Sequence, residues 1–287
     1  MEDPEELLAA ILEWAARDPR VTGVVRTGSR ARGRRVDRYS DLDLELIGPR
    51  WRELSADSSW FHGFGDVMVA LPFDSDGTPG ADPPWPTRLV VYRGGRKVDF
   101  TVAGEERIAR MLSDGLDPLY DHGFVVHYDT SGLTARLPAP RMTPPHHDAP
   151  EPGDYQRAVT EFWFEATQVP VYVARDDLWV AQSRLNTMRE MLLRMLEWYT
   201  RTDPEGPADT WHSGHRVKEW LSAEHWDQVA RTFPRLDAED VRAAHGASTN
   251  LFEATSRVVA QRLGFASPEP LGSRVRAAVA RTFPRGT

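Results

Sequence analysis

Three aspartates and a glycine-serine pair are the residues in this chain whose types and spacing suit chemistry. Ser40-Asp41-Leu42-Asp43-Leu44-Glu45-Leu46 alternates strictly, so a strand here sends Leu42, Leu44 and Leu46 into a core and Asp41, Asp43 and Glu45 to the opposite face. Asp41 and Asp43 then sit roughly 6.5–7 Å apart at their Cα atoms. A third acid, Asp99, lies between Val98 and Phe100 in a second apolar run and points off its strand on the side away from both. Carboxylates gathered in a cleft repel one another unless a cation sits among them. Mg²⁺ suits such a set, because it takes oxygen ligands at near-octahedral geometry and usually brings substrate phosphates with it. Upstream, Val24-Val25 ends a strand and Gly28-Ser29 makes a tight turn whose small side chains let backbone N–H groups approach an anion.

The elements that must position these residues are legible around them. Arg88–Tyr92 and Lys97–Val102 read as a hairpin about an Arg93-Gly94-Gly95-Arg96 turn. Asp3 caps a helix expected from Pro4 to about Arg17, with Leu7, Leu8, Ile11, Leu12 and Ala15 along one face. Trp51 to Trp60 reads as a short helix with Trp60 and Phe61 turned inward, and Asp66–Leu71 as a strand. A Pro/Gly/Asp-rich loop follows from Asp74 to Pro86. Glu105–Leu112 is helical by period, and Phe124–Tyr128 is the last strand, with His127 a structural residue in its alternation. Six prolines between Leu137 and Gly153 mark a linker, in which His146-His147 lacks the further ligands a metal site needs. Helical patterns then cover Asp154–Thr167, Asp177–Thr200, Arg216–Leu221 and Asp237–Leu263, the last with a possible break at Gly246. Glu161 and Glu165 share a helix face beside Trp163 on another, and Asp176 or Asp177 is a candidate N-cap for the longest helix. The expected division is residues 1–137, a linker at 138–153, and a helical domain at 154–287.

Composition sets the outer bounds. The 287 residues, 40% hydrophobic with ten tryptophans and eleven phenylalanines, fill two sizeable cores. The absence of cysteine excludes disulfides and thiolate metal sites. The acidic N-terminus and the lack of an apolar run of about 18–20 residues point to a soluble, cytoplasmic protein with no membrane partner. A net charge of -8 argues against nucleic acid and suits a cationic small molecule. A monomer is expected. Of the six arginines between Arg26 and Arg38, most read as a solvated loop because no aromatics interleave them.

In this order and spacing, Gly28-Ser29, Asp41-Leu-Asp43 and the later Val98-Asp99-Phe100 resemble the signature of the nucleotidyltransferase superfamily related to DNA polymerase β. A closer resemblance, to the aminoglycoside 6-adenylyltransferases (streptomycin adenylyltransferases), runs through most of the chain. It is carried by Arg26-Thr-Gly28-Ser29-Arg30, Asp41-Leu-Asp43, Trp60 with Phe64-Gly65, Lys97-Val-Asp99-Phe100-Thr101 and Glu161-Phe-Trp163-Phe164. The helix from Leu178 through Arg189 to Trp198 and the segment Gly214-His215-Arg216-Val217-Lys218 extend it.

The resemblance implies an α+β chain, with an N-terminal nucleotidyltransferase domain of mixed β-sheet and flanking helices followed by a C-terminal helical bundle. It implies Mg²⁺-dependent transfer of AMP from ATP to a hydroxyl of an aminoglycoside, streptomycin first, with release of pyrophosphate. Asp41 and Asp43 would hold the Mg²⁺ that carries the triphosphate and, with Asp99, a second ion near the attacking oxygen. Gly28 and Ser29 would cradle the phosphates, with Arg30 and Lys218 balancing their charge. Glu161, Glu165, Asp176 and Asp177 would meet guanidinium or ammonium groups of the acceptor. Two other classes stay open on the residues alone. One is a nucleotidyltransferase acting on another small molecule or a protein hydroxyl. The other is a non-catalytic nucleotide-binding protein, which would be expected to have lost one of the three acids.

Overall fold

The computed structural model describes residues 1–73, 85–142, 149–205, 209–210 and 213–282. Most of the loop expected at Asp74–Pro86, and His146-His147, lie outside the described residues. The chain divides into two compact units, Met1–His146 and His147–Thr287.

In the first unit, α1 (Pro4–Ala15) leads into β1 (Gly23–Arg26), the short α2 (Gly28–Arg32), β2 (Leu42–Ile47), α3 (Trp51–Ala56) and a 3-10 turn at Trp60–Phe64. Then come β3 (Val67–Phe73), β4 (Thr87–Tyr92), β5 (Lys97–Ala103), α4 (Glu105–Asp114), α5 (Pro118–His122), β6 (Val125–Asp129) and a 3-10 turn at Thr134–Arg136. The six strands form one sheet in the order β3-β4-β5-β2-β1-β6. β2 and β5 run parallel while the other neighbours are antiparallel, so the sheet is mixed and the class is α+β as expected.

Asp3 caps α1, its carboxylate accepting from the N–H groups of Glu5 and Glu6. The helix lays Leu7, Leu8, Ile11 and Ala15 on one face of the sheet, where Leu42, Leu44, Leu46, Val98, Phe100 and Val102 form the larger core. Trp60 stands edge-on to Phe100 at 4.9 Å and stacks on Trp14 at 5.3 Å, which fixes the side of β5 opposite Asp99.

The other face of the sheet is covered only in part. α4 and α5 bring Ile108, Met111 and Tyr120 over Val25 and Ile47. Glu45, expected beside the two aspartates, is buried under these helices. Its Oε1 lies 2.8 Å from Arg107 Nε, the other side of that guanidinium lies 2.8 Å from Asp117, and Tyr120 donates its hydroxyl to Glu45 Oε2. Burial pushes the Glu45 carboxyl up, against the opposing pull of Arg107.

In the second unit, α6 (Pro152–Ala174), α7 (Leu178–Arg201), α8 (Val217–Trp220), α9 (Ala223–Ala230), α10 (Ala238–Leu263) and α11 (Glu269–Thr282) build a helical bundle. α6 continues through the buried Pro170, seven residues past the expected end, because Val169, Pro170 and Val173 are all packed into the bundle core. α10 is unbroken at Gly246, where the buried neighbours Ala244, His245, Ser248 and Thr249 hold the helical register. Phe162 stacks on Phe252 at 3.6 Å and joins α6 to α10. Among the described residues, no helix is long and apolar enough to cross a membrane.

The Arg107 network carries the first prediction. Arg107→Met strips the buried Glu45 and the partly buried Asp117 of their counter-charge and is expected to lower the stability of the chain by about 3–5 kcal/mol. Urea unfolding followed by circular dichroism measures this. A loss below about 1 kcal/mol would mean that water reaches the network.

Candidate active site

Where α4 and α5 leave the sheet uncovered, the acids of β2 and β5 are left facing one another. Asp43 and Asp99 are register partners across the parallel pair, and Asp41 immediately precedes β2. One carboxylate oxygen from each of Asp41, Asp43 and Asp99 lies within 4.8 Å of the others. Burial, then the charges of Asp41 and Asp99, push the Asp43 carboxyl up to about 7. Burial also raises Asp99, whose Oδ1 is enclosed without a hydrogen-bond partner. A divalent cation fits this donor set. All the offered ligands are oxygens, their charges repel without a cation, and one enclosed oxygen awaits a partner.

Lys97 opens the Lys97-Val-Asp99-Phe100-Thr101 motif, but the sequence assigned it no role. Its ammonium donates to Asp99 Oδ2 at 2.7 Å and to Asp41 Oδ2 at 3.1 Å. Burial disfavours its charge, but the two acids outweigh burial and hold its proton more tightly than usual. The signal was present in the two-residue spacing that puts Lys97 and Asp99 on one face of β5. Its meeting with Asp41 depends on β2 lying alongside.

Gly28 has a φ of +69°, and a β-carbon there would lie 1.9 Å from Asp43 Oδ2. The expected reason for a glycine was close approach of a phosphate; in this structure the space is already filled by the Asp43 carboxylate. The Thr27 N–H, one residue earlier, donates to the Asp43 carbonyl at 3.0 Å, so the turn and the strand are tied by backbone as well. Ser29 follows in the first turn of α2, partly exposed.

Arg30, expected beside a triphosphate, instead turns its guanidinium onto the backbone. Nε donates to the carbonyls of Ser40 and Asp41 at 3.1 Å, and Nη2 to those of Asp37 and Ser40 at 3.2 and 3.1 Å. Arg96 reaches the same segment from the hairpin, with Nη1 donating to Ser40 O at 2.7 Å and Arg38 O at 3.2 Å. Two guanidiniums thus fix the backbone that delivers Asp41. The arginine whose charge acts on Asp43 is Arg32.

The other expected residues lie in the second unit. Lys218 is exposed on α8 with its ammonium 4.7 Å from the Trp226 ring centre. Glu161 is exposed, whereas Glu165, one turn on, is buried and paired with Arg184 at 3.2 Å, so its charge is largely satisfied within the bundle. Asp176 and Asp177 are exposed in the link from α6 to α7. Asp177 stands at the N-cap of α7 without a side-chain capping bond, so capping accounts for neither acid. The Asp176 N–H donates to Val173 O at 3.1 Å and the Asp177 N–H to Tyr172 O at 2.9 Å, which is a Schellman ending of α6. Asp176 fills its left-handed position at φ +58°, where glycine is usual.

Two outcomes follow from this geometry. Gly28→Ala forces Asp43 aside and is expected to reduce turnover by at least about 100-fold while the far-ultraviolet circular dichroism stays native. For Asp43, a folded-state value above the unfolded one means that the metal-free protein loses stability as pH rises from about 4 through about 7. Asp43→Asn is therefore expected to flatten that decline and to raise metal-free stability at pH 8 by roughly 1 kcal/mol or more. Denaturant melts at pH 5 and pH 8 test it, and a lower stability for Asp43→Asn at pH 8 would contradict the clustered-charge geometry.

Comparison with known proteins bears on the whole chain. The family model for streptomycin adenylyltransferase matches residues 1–281. No curated protein sequence matches the chain. Among solved structures, an aminoglycoside 6-adenyltransferase from Bacillus subtilis aligns over 99% of this chain and 100% of its own, at 15% identity and a TM-score of 0.48. A nucleotidyltransferase-like protein from Exiguobacterium sibiricum 255-15 aligns over 90% of this chain and 77% of its own, at 12% identity and a TM-score of 0.35. With the family model spanning the chain from its first residue to Thr282's neighbour Arg281, the protein belongs to the streptomycin adenylyltransferase family and is a nucleotidyltransferase enzyme.

Proposed function

We propose that the protein transfers the adenylyl group of ATP to a hydroxyl of an aminoglycoside, streptomycin in preference to others, and releases pyrophosphate. The observation that carries this reading is the set Asp41, Asp43 and Asp99, all three intact and with oxygens within 4.8 Å of one another, in a chain of this family. A non-catalytic relative has no need to keep all three acids.

In the reaction, the acceptor oxygen forms a bond to the α-phosphorus as the bond to the pyrophosphate oxygen breaks, and the hydroxyl proton is released. Asp41, Asp43 and Asp99 would hold Mg²⁺, which supplies charge neutralisation for the triphosphate and the attacking oxygen. The chain's own contribution is positioning. Arg30 and Arg96 hold the segment before Asp41, the Gly28 turn makes room for Asp43, and the β2/β5 register sets Asp43 against Asp99. Gly28 and Ser29 offer backbone donors to the phosphates, and Lys218 is a further partner for their charge.

Acceptor recognition belongs to exposed acids of the helical unit. Guanidinium groups are bound by carboxylates through paired hydrogen bonds, and Glu161, Asp176 and Asp177 are exposed and able to make them. Glu165 joins this set only by sharing its carboxylate between Arg184 and the acceptor. Asp176 supports the reading most directly, because an aspartate keeps a backbone conformation that glycine would adopt with less strain.

Asp176→Gly is accordingly expected to hold or raise thermal stability while raising the KM for streptomycin about tenfold or more and leaving that for ATP within about twofold. Steady-state kinetics with pyrophosphate detection measure both constants. A panel of aminoglycosides, each incubated with ATP, Mg²⁺ and the protein and then weighed by mass spectrometry, tests the acceptor itself. One adenylyl group added to streptomycin is expected. ATP consumption with another acceptor and none with streptomycin would overturn the acceptor and leave the acid set standing.

A further inference from the structure

Lys97 is a charged residue of the site whose place the nucleotidyl-transfer reading does not use. Its ammonium bridges acids delivered by two different segments, at 2.7 Å from Asp99 Oδ2 and 3.1 Å from Asp41 Oδ2. A divalent ion held among Asp41, Asp43 and Asp99 would draw on the same carboxylates that the ammonium engages, and so would lie close to it. Like charges so close repel strongly where solvent is partly excluded, so ammonium and ion compete for the acids.

We propose that Lys97 is the resident counter-cation of the acid set. It holds Asp41 and Asp99 together before a divalent ion binds, is displaced by that ion, and is then taken up by the phosphates of the nucleotide, so that metal and nucleotide bind cooperatively. The proposal rests on the reading of Asp41, Asp43 and Asp99 as metal acids.

Two features of the site support it. The Lys97 side chain is 41% exposed, so its flexible stem can swing toward solvent without opening the core beneath β5. Asp99 meets the ammonium through Oδ2 alone, and its enclosed Oδ1 has no hydrogen-bond partner. A residue built only to neutralise a structural acid would be expected to lie deeper and to leave no oxygen wanting.

Because coupling between two ligands is reciprocal, the inference is measurable without turnover. Mn²⁺ binding to the full chain is titrated by electron paramagnetic resonance, with and without α,β-methylene-ATP, for wild type, Lys97→Met, Lys97→Gln and Asp99→Asn. Without nucleotide, both Lys97 variants are expected to bind Mn²⁺ about tenfold more tightly than wild type. Their metal-free melting temperatures should fall, and the nucleotide should tighten Mn²⁺ binding by a smaller factor than it does in wild type. Mn²⁺ affinity that is unchanged or weaker in both variants, or a coupling factor equal to that of wild type, would overturn the role of Lys97. Equal Mn²⁺ affinity in wild type and Asp99→Asn would overturn the metal reading of the acids, a separate result from the first.

Discussion

Asp43 and Asp99 face each other across the parallel pair β2 and β5, and the mutual repulsion of their carboxylates with that of Asp41 is the constraint to which the first unit is built. Nothing in the acids themselves would bring them together. A one-residue slip of either strand would exchange every side chain between faces, so the register must be held by other residues. On the core side it is held by Leu42, Leu44 and Leu46 against Val98, Phe100 and Val102, all buried, with Trp60 edge-on to Phe100. The apolar burial on one face thus offsets an electrostatic cost on the other.

The acid-bearing face of β2 shows how cover decides the fate of identical chemistry. Asp43 and Glu45 are two residues apart on the same face. Glu45 lies under α4 and α5 with Arg107 and Tyr120 around it, and its charge is answered inside the fold. Asp43 lies beyond the helices, with Asp41 and Asp99 as neighbours and the charges of Lys97 and Arg32 opposing theirs. One strand therefore carries a carboxylate whose charge is answered inside the fold and another left among like charges, distinguished by what packs above them. At the end of the strand, Arg30 and Arg96 converge on the carbonyls before Asp41, so the least covered acid is positioned through its backbone.

In the helical unit the same distinction separates Glu161 from Glu165. Four residues apart on α6, they share a side of the helix, but α7 brings Arg184 to Glu165 and leaves Glu161 in solvent. The Schellman turn that ends α6 then presents Asp176 and Asp177 with their backbone N–H groups already satisfied, which frees both carboxylates from capping.

What could be read from the sequence was what depends on near neighbours along the chain. Alternation placed Leu42, Leu44 and Leu46 against Asp41 and Asp43, the Gly94-Gly95 turn marked the hairpin that carries Asp99, and Asp3 announced the start of α1. Each of these follows from strand period, turn geometry or capping within a few residues. The tertiary structure alone decided what depends on segments far apart in the chain. The bridging of Asp41 by Lys97 needs β5 inserted beside β2, which no local pattern specifies. The collision space of Gly28 belongs to Asp43 because β1 and β2 pair. Arg30 turned to carbonyls rather than outward because the loop from Asp37 to Asp41 folds back over it. Glu45 and Glu165 were buried by helices that approach from elsewhere, and α6 and α10 ran through Pro170 and Gly246 because packing on neighbouring helices outweighs the local preference to break.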